Sequence, residues 1–112
     1  MQKQSSERIP DEHMAILQPH HDYMLDKIDP EPIVHSMFSK EIFSLDDKEQ
    51  VLKADNRRNK MVIFLKLLYR SGSNAYPVFY EALENSGYVE MIKLFDDQDK
   101  QNRTSEPTFD LK

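Results

Sequence analysis

The sequence predicts an all-α domain, a six-helix antiparallel bundle whose first helix is kinked or broken near Pro19, and three observations lead there. Apolar residues recur at helical spacing, and no stretch alternates as a strand would. Glycine occurs only at Gly72 and Gly87, each just past a helical pattern, where a chain stops a helix at least cost. The stretch from Asn56 to Leu83, NRRNKMVIFLKLLYRSGSNAYPVFYEAL, sets a basic turn, an apolar helix, a glycine and a second amphipathic helix in immediate succession. That order is what an antiparallel helix hairpin requires.

The first helix is expected from Asp11 to Ile28, with Met14, Leu17, His21, Met24, Leu25 and Ile28 on one side. Pro19 lies inside it, removing a backbone donor and clashing with the preceding turn. Asp29-Pro30-Glu31-Pro32 is a stop and restart. The second helix spans Glu31 to Ser39, with Ile33, Val34 and Met37 inward, and Ile42 and Phe43 anchor the connection that follows. Ser44 or Asp46 caps the third helix, which runs to Ala54 and buries Val51 and Leu52. Asp55 or Asn56 caps the fourth, Arg57 to Arg70, where Met61, Phe64, Leu65 and Leu68 form a stripe widened by Ile63 and Leu67. A helix this apolar belongs at the centre. Gly72 ends it, and Ser73 or Asn74 caps the fifth, with Pro77 in its first turn and Ala75, Phe79, Ala82 and Leu83 inward. The sixth helix, Tyr88 to Phe95, presents Tyr88, Met91, Ile92 and Phe95.

The chain has 112 residues, enough for one domain, and 38% of them are hydrophobic, below the globular average. The shortfall sits at the ends. Residues 1–10 and 97–112 are expected to be disordered, leaving the folded domain at 11–96. There is no cysteine, so no disulfide framework and no thiolate metal site. No apolar run approaches the roughly 20 residues of a membrane span, and the first 30 residues lack a signal-peptide core, so the expected location is cytoplasmic. The net charge of -5 argues against nucleic acid as the partner.

Charge is nevertheless concentrated. Arg57, Arg58, Lys60, Lys66 and Arg70 fall on the fourth helix with no acid among them, and form a candidate docking patch for carboxylates. The bland alternative is a solvated helix face, although cations at a helix start oppose the dipole. Asp46, Asp47 and Glu49, with Glu31 and Glu41 nearby, form the candidate acidic counterpart, where acids in a first turn also stabilise the helix itself. His20 and His21 are adjacent and cannot share a helix face, and His13 and His35 have no ligand at metal spacing, so no metal is expected. Tyr69, Tyr76, Tyr80 and Tyr88 are expected on the rim of the core with their hydroxyls in water. No nucleophile sits beside a base in a strained elbow and no glycine-rich phosphate loop exists, so neither catalysis nor a cofactor is expected.

The run Phe64-Leu65-Lys66-Leu67-Leu68, then Arg70-Ser71-Gly72, then Ala75-Tyr76-Pro77-Val78-Phe79 and Leu83 resembles the caspase recruitment domain (CARD), a branch of the death-fold superfamily. That family typically reads Leu-Leu-Asp-x-Leu, Arg-Gly and Ala-Phe-x-x-Phe-x-x-x-Leu there. Ser39-Lys40-Glu41-Ile42-Phe43 resembles its connection into the third helix, and Arg57-Arg58-Asn59-Lys60 its basic start of the fourth. The resemblance covers Asp11 to Phe95, with Lys66 where the family has Asp and Ser71 interrupting its Arg-Arg-Gly. Features of initiator caspases, apoptotic protease-activating factor and CARD–coiled-coil scaffolds all occur, and the subfamily stays open. The resemblance implies homotypic binding to another CARD-containing protein, in an apoptotic or innate-immune assembly, through basic and acidic faces that can propagate into a homo-oligomer or helical assembly. It implies no catalysis in this domain, even in a caspase pro-domain. The alternative it leaves is a CARD-only decoy that inhibits such an assembly.

Overall fold

A computed structural model of the chain describes residues 8–104. The helices are α1 (Asp11–Leu17), α2 (His21–Lys27), α3 (Pro30–Ser39), α4 (Leu45–Leu52), α5 (Arg57–Tyr69), α6 (Ala75–Asn85) and α7 (Val89–Thr104). A 3₁₀ turn over Gln18–His20 joins α1 to α2. The two are the halves of the predicted first helix, broken at Pro19 as its missing N–H requires. The six expected helices are therefore α1/α2 and α3 to α7, and no strand occurs among the described residues.

Local chemistry sets most of the boundaries. Asp29 caps α3 by accepting from the Glu31 N–H. Two helices end in Schellman motifs, in which the chain turns left-handed just past the helix. After α6, Gly87 adopts φ +85, and the Gly87 and Tyr88 N–H groups donate to the Glu84 and Leu83 carbonyls. After α3 the same position is Glu41, at φ 65, with Glu41 and Ile42 donating to the Phe38 and Met37 carbonyls. Gly72 has no such role. α5 stops at Tyr69, and the Ser71 hydroxyl donates to the Leu67 carbonyl at 2.9 Å. Asn74 is the N-cap of α6 by position, but its side chain makes no capping bond.

Every predicted inner residue of α3, α5 and α6 is buried except Ile63, which is half-buried. Met14, Leu52 and Ile42 are also half-buried against the core. At its centre Phe64 meets Phe43 edge-on at 5.2 Å and Phe79 at 5.5 Å, and Phe79 meets Phe95 at 6.2 Å. No buried residue among those described is polar or charged.

Two expectations at the ends are corrected. Ile9, placed in the disordered N-terminal segment 1–10, is fully buried, and its N–H donates to the Tyr69 carbonyl at 3.2 Å. The last helix does not stop at Phe95 but continues to Thr104, through the first part of the segment 97–112 expected to be disordered. Its outer turns hold few apolar residues, so no stripe marks them; i, i+4 pairs, Gln98 with Asn102 and Asp99 with Arg103, join them instead. The remainder of those two segments, 1–7 and 105–112, lies outside the described residues.

Truncating Phe64 or Phe79 to Ala is expected to cost about 3–5 kcal/mol in urea unfolding, as buried aromatic truncations do. Val62→Ala, on the exposed side of α5, should stay within about 0.5 kcal/mol. Comparable losses for all three would show that the aromatic centre is not the core.

Candidate functional site

The Asn56 side chain accepts from the Asn59 N–H at 2.8 Å and fixes where α5 begins, placing Arg57, Arg58 and Lys60 in its first turn. Three cations at the positive end of a helix dipole are unfavourable in isolation. The structure gives each a partner. Arg57 Nη1 donates to the carbonyls of Leu25 and Ile28, both at 3.0 Å, at the C-terminal end of α2. Those carbonyls are the kind a helix leaves unpaired, and a cation is favoured there. Arg58 Nη1 lies 2.8 Å from Asp26 Oδ1. Lys60 Nζ lies 2.8 Å from Glu31 Oε2, with the lysine side chain only 18% exposed.

The basic cluster is thus a set of tethers from α5 to α2 and α3 as well as a charged surface. Lys66 and Arg70 differ: both are exposed, and neither forms an ion pair among the described residues. Arg70 shares a shallow hollow of about 410 Å³ with Asp47, Ile42 and Leu67.

The predicted acidic face is divided. Glu31 belongs with the basic cluster, where the hydrogen bond and charge of Lys60 hold its carboxyl below the ordinary 4.5. Asp47 completes a capping box: its Oδ2 accepts from the Ser44 N–H, and Ser44 Oγ accepts from the Asp47 N–H, both at 3.1 Å. Asp46 accepts from Gln50 Nε2 at 3.1 Å but remains exposed. Glu49 is exposed with no partner among the described residues. Glu41 is exposed in the left-handed turn after α3.

Sequence reasoning missed Asp26, which pairs with Arg58 from 32 positions away. It also missed the exposed apolar residues Phe38, Leu45 and Val62. Lys48 Nζ sits 4.6 Å from the Phe38 ring centroid, a cation–π contact. The signal for Val62 was present, since it falls outside the Met61–Phe64–Leu65–Leu68 stripe and lies one turn from both Arg58 and Lys66.

His13, His20 and His21 are half-buried, while His35 is exposed. His13 lies 4.9 Å from the Tyr76 ring and His20 6.1 Å from Phe95, while His21 Nδ1 is 2.9 Å from the Tyr69 hydroxyl. The tyrosine hydroxyls correct the expectation of simple solvation. Tyr88 accepts from the Asp29 N–H at 2.9 Å and Tyr80 donates to Asp96 at 2.8 Å. That bond to Asp96 pushes the Tyr80 phenol up to about 12, and burial does the same to Tyr69.

A helical bundle with a broken first helix, an apolar interior and oppositely charged outer helices has the architecture of a death-fold interaction module. The sequence model of the caspase recruitment domain matches residues 14–98, and the chain belongs to that family. CARDs are non-catalytic domains that bind other domains of their own kind, and the chain carries such a homotypic interaction module. No curated protein matches the chain.

Arg57→Ala should destabilise the fold by roughly 1–3 kcal/mol, because it leaves two carbonyls without their charged donor. Arg58→Ala, whose ion pair is solvent-exposed, should change stability by no more than about 0.5 kcal/mol. Chemical denaturation of the two variants side by side checks this, and equal losses would refute the division between tether and surface. The Glu31 carboxyl has a folded-state pKa below its unfolded one. Its contribution is therefore present above about pH 4.5 and lost as pH falls through the lowered value. In an NMR titration Glu31 should have a depressed midpoint that returns to the ordinary range in Lys60→Met. An unchanged midpoint would mean that the pair does not form in solution.

Proposed function

We propose that the chain recruits a partner CARD into an apoptotic or innate-immune signalling assembly, working in the cytosol and without catalysis of its own. The observation that carries this reading is the family match over residues 14–98, which runs from within α1 to the middle of α7. The charge layout supports it. Arg58, Lys66 and Arg70 offer exposed cations from α5 and its end, and Asp46, Glu49 and Glu41 offer exposed carboxylates from α4 and the turn before it. Arg57, Lys60, Glu31 and Asp47 sit on the same two faces but hold the fold, and the docking role falls to their neighbours.

Complementary charge of this kind sets specificity and encounter rate more than raw affinity. A second domain's carboxylates meeting Arg58 must compete with Asp26, and those meeting Arg70 share its hollow with Asp47, whereas Lys66 has no such neighbour among the described residues. Lys66 is therefore the residue whose sign a partner reads most directly.

Capture from native cell extract by the full chain, beside an Arg58→Glu/Lys66→Glu double variant, tests the reading. A CARD-bearing protein should be retained by the wild type and its retention reduced about tenfold or more by the variant, with helical circular dichroism unchanged. Retention of the same set by both forms would refute the charged-face assignment. Absence of any CARD-bearing partner would refute recruitment itself.

A further inference from the structure

The chain holds five tyrosines, and their hydroxyls differ in what they face. Tyr23 and Tyr80 donate to carboxylates, Glu90 at 3.4 Å and Asp96 at 2.8 Å. The Tyr69 hydroxyl lies 2.9 Å from the His21 ring nitrogen, and Tyr76 is packed among the rings of His13, Tyr80 and Phe95. Tyr88 differs from all four. Its oxygen accepts from the Asp29 N–H at 2.9 Å, at an exposed site, and so joins the α6–α7 corner to the α2–α3 corner. Its side chain also lines an open hollow of about 320 Å³ together with Lys27, Tyr23 and Glu90. Lys27 is exposed and forms no ion pair among the described residues.

A phosphate on a tyrosine oxygen brings close to two negative charges at neutral pH and three strong acceptor oxygens. On Tyr23 or Tyr80 it would displace a hydrogen bond and set those charges against a carboxylate. On Tyr69 or Tyr76 it would need room that packed rings occupy. On Tyr88 it would meet a backbone donor and an exposed cation. The two carboxylates at that corner already have donors of their own: Asp29 Oδ1 accepts from the Glu31 N–H, and Glu90 Oε1 from Tyr23. The residues on either side, Ser86, Gly87, Val89 and Glu90, are exposed. We propose that Tyr88 is a phosphorylation site, and that its phosphate closes a clasp on Lys27 and the Asp29 N–H. In the transfer the phenol oxygen attacks the γ-phosphorus of a nucleoside triphosphate held by a tyrosine kinase. The new O–P bond forms as the bond to the β-phosphate breaks, the phenolic proton passes to the kinase's catalytic base, and the diphosphate leaves. The clasp fastens the chain next to Ile28, whose carbonyl Arg57 holds, so the modification stiffens the corner to which α5 is tethered.

Phosphotyrosine installed at position 88 of the full chain tests the clasp, beside the same group at position 80. With the phosphate at 88 the urea unfolding midpoint should exceed that of the unmodified chain, and with it at 80 the midpoint should fall. By phosphorus NMR the phosphate at 88 should titrate below the ordinary value of about 6, and Lys27→Met should raise that midpoint by about 0.5 or more. An unfolding midpoint that is no higher, or a titration that ignores Lys27, would overturn the clasp. Access is tested with magnesium ATP and a tyrosine kinase chosen because it modifies Tyr76, Tyr80 and Tyr88 alike in a peptide of residues 71–93. On the folded chain, mass spectrometry should find Tyr88 modified about tenfold or more faster than either of the others, which local opening must first release. Equal rates, or Tyr80 modified first, would overturn Tyr88 as the site.

Discussion

The rest of the structure depends on Phe64. Its ring takes Phe43 on one side and Phe79 on another, and Phe79 passes the contact to Phe95. Through four rings the α3–α4 connection, α5, α6 and α7 share one apolar centre. Offset and edge-on aromatic contacts of this kind are directional as well as apolar, so they constrain angle in addition to excluding water. Because no buried residue among those described is polar or charged, the interior makes no demand on the charged side chains. The acids and bases of a chain that is 31% charged are left to the surface, where they can tether helices or meet a partner.

How those surface charges divide between the two tasks follows from helix ends. α2 finishes at Lys27 with its last carbonyls directed toward α5, and Arg57 meets them. The cations that oppose the dipole of their own helix thereby favour the dipole of its neighbour. Arg58 and Lys60 repeat the arrangement with the carboxylates of Asp26 and Glu31. The start of α5 is thus locked to α2 and to the first turn of α3, and the stripe leading on to Lys66 is held in a fixed position. A docking surface on a rigid helix loses less entropy on binding than one on a loop.

The apolar periodicities of α3, α5 and α6 were legible because each buries a face against several neighbours, and the pattern then follows the helix repeat. Pro19 marked the break in the first helix for a reason contained in the residue itself. Other features lie beyond local patterning. Ile9 stands alone among polar neighbours, and its burial depends on Tyr69, sixty residues on. The outer turns of α7 carry no apolar stripe because the residues half-buried there, Gln98, Asp99 and Asn102, are polar, and Gln98 pairs with Asn102 and Asp99 with Arg103 along the helix. Glu41 occupies a left-handed position that usually marks itself by glycine or asparagine, and a glutamate there sends no signal. The candidate site was legible as composition, in that the basic and acidic clusters were both visible. Its internal division was not, since whether Arg57 touches a carbonyl or a partner depends on chain folded from 29 positions away.

The two departures from the family pattern can now be given physical content. Ser71, which interrupts the Arg-Arg-Gly run, uses its hydroxyl to satisfy the Leu67 carbonyl, so it closes α5 without needing a left-handed glycine at position 72. That substitution acts within the fold and leaves the corner polar but uncharged. Lys66 acts the other way. It is exposed, and the core stripe of Phe64, Leu65 and Leu68 is indifferent to its charge. An acid at that position would place opposite charges one turn apart beside Val62 and divide the face. A lysine makes the outer side of α5 a single basic stripe from Arg58 onward. The fold tolerates either sign there, so under the proposed charged-face docking the choice at position 66 bears on recognition, and a lysine favours partners that present carboxylates.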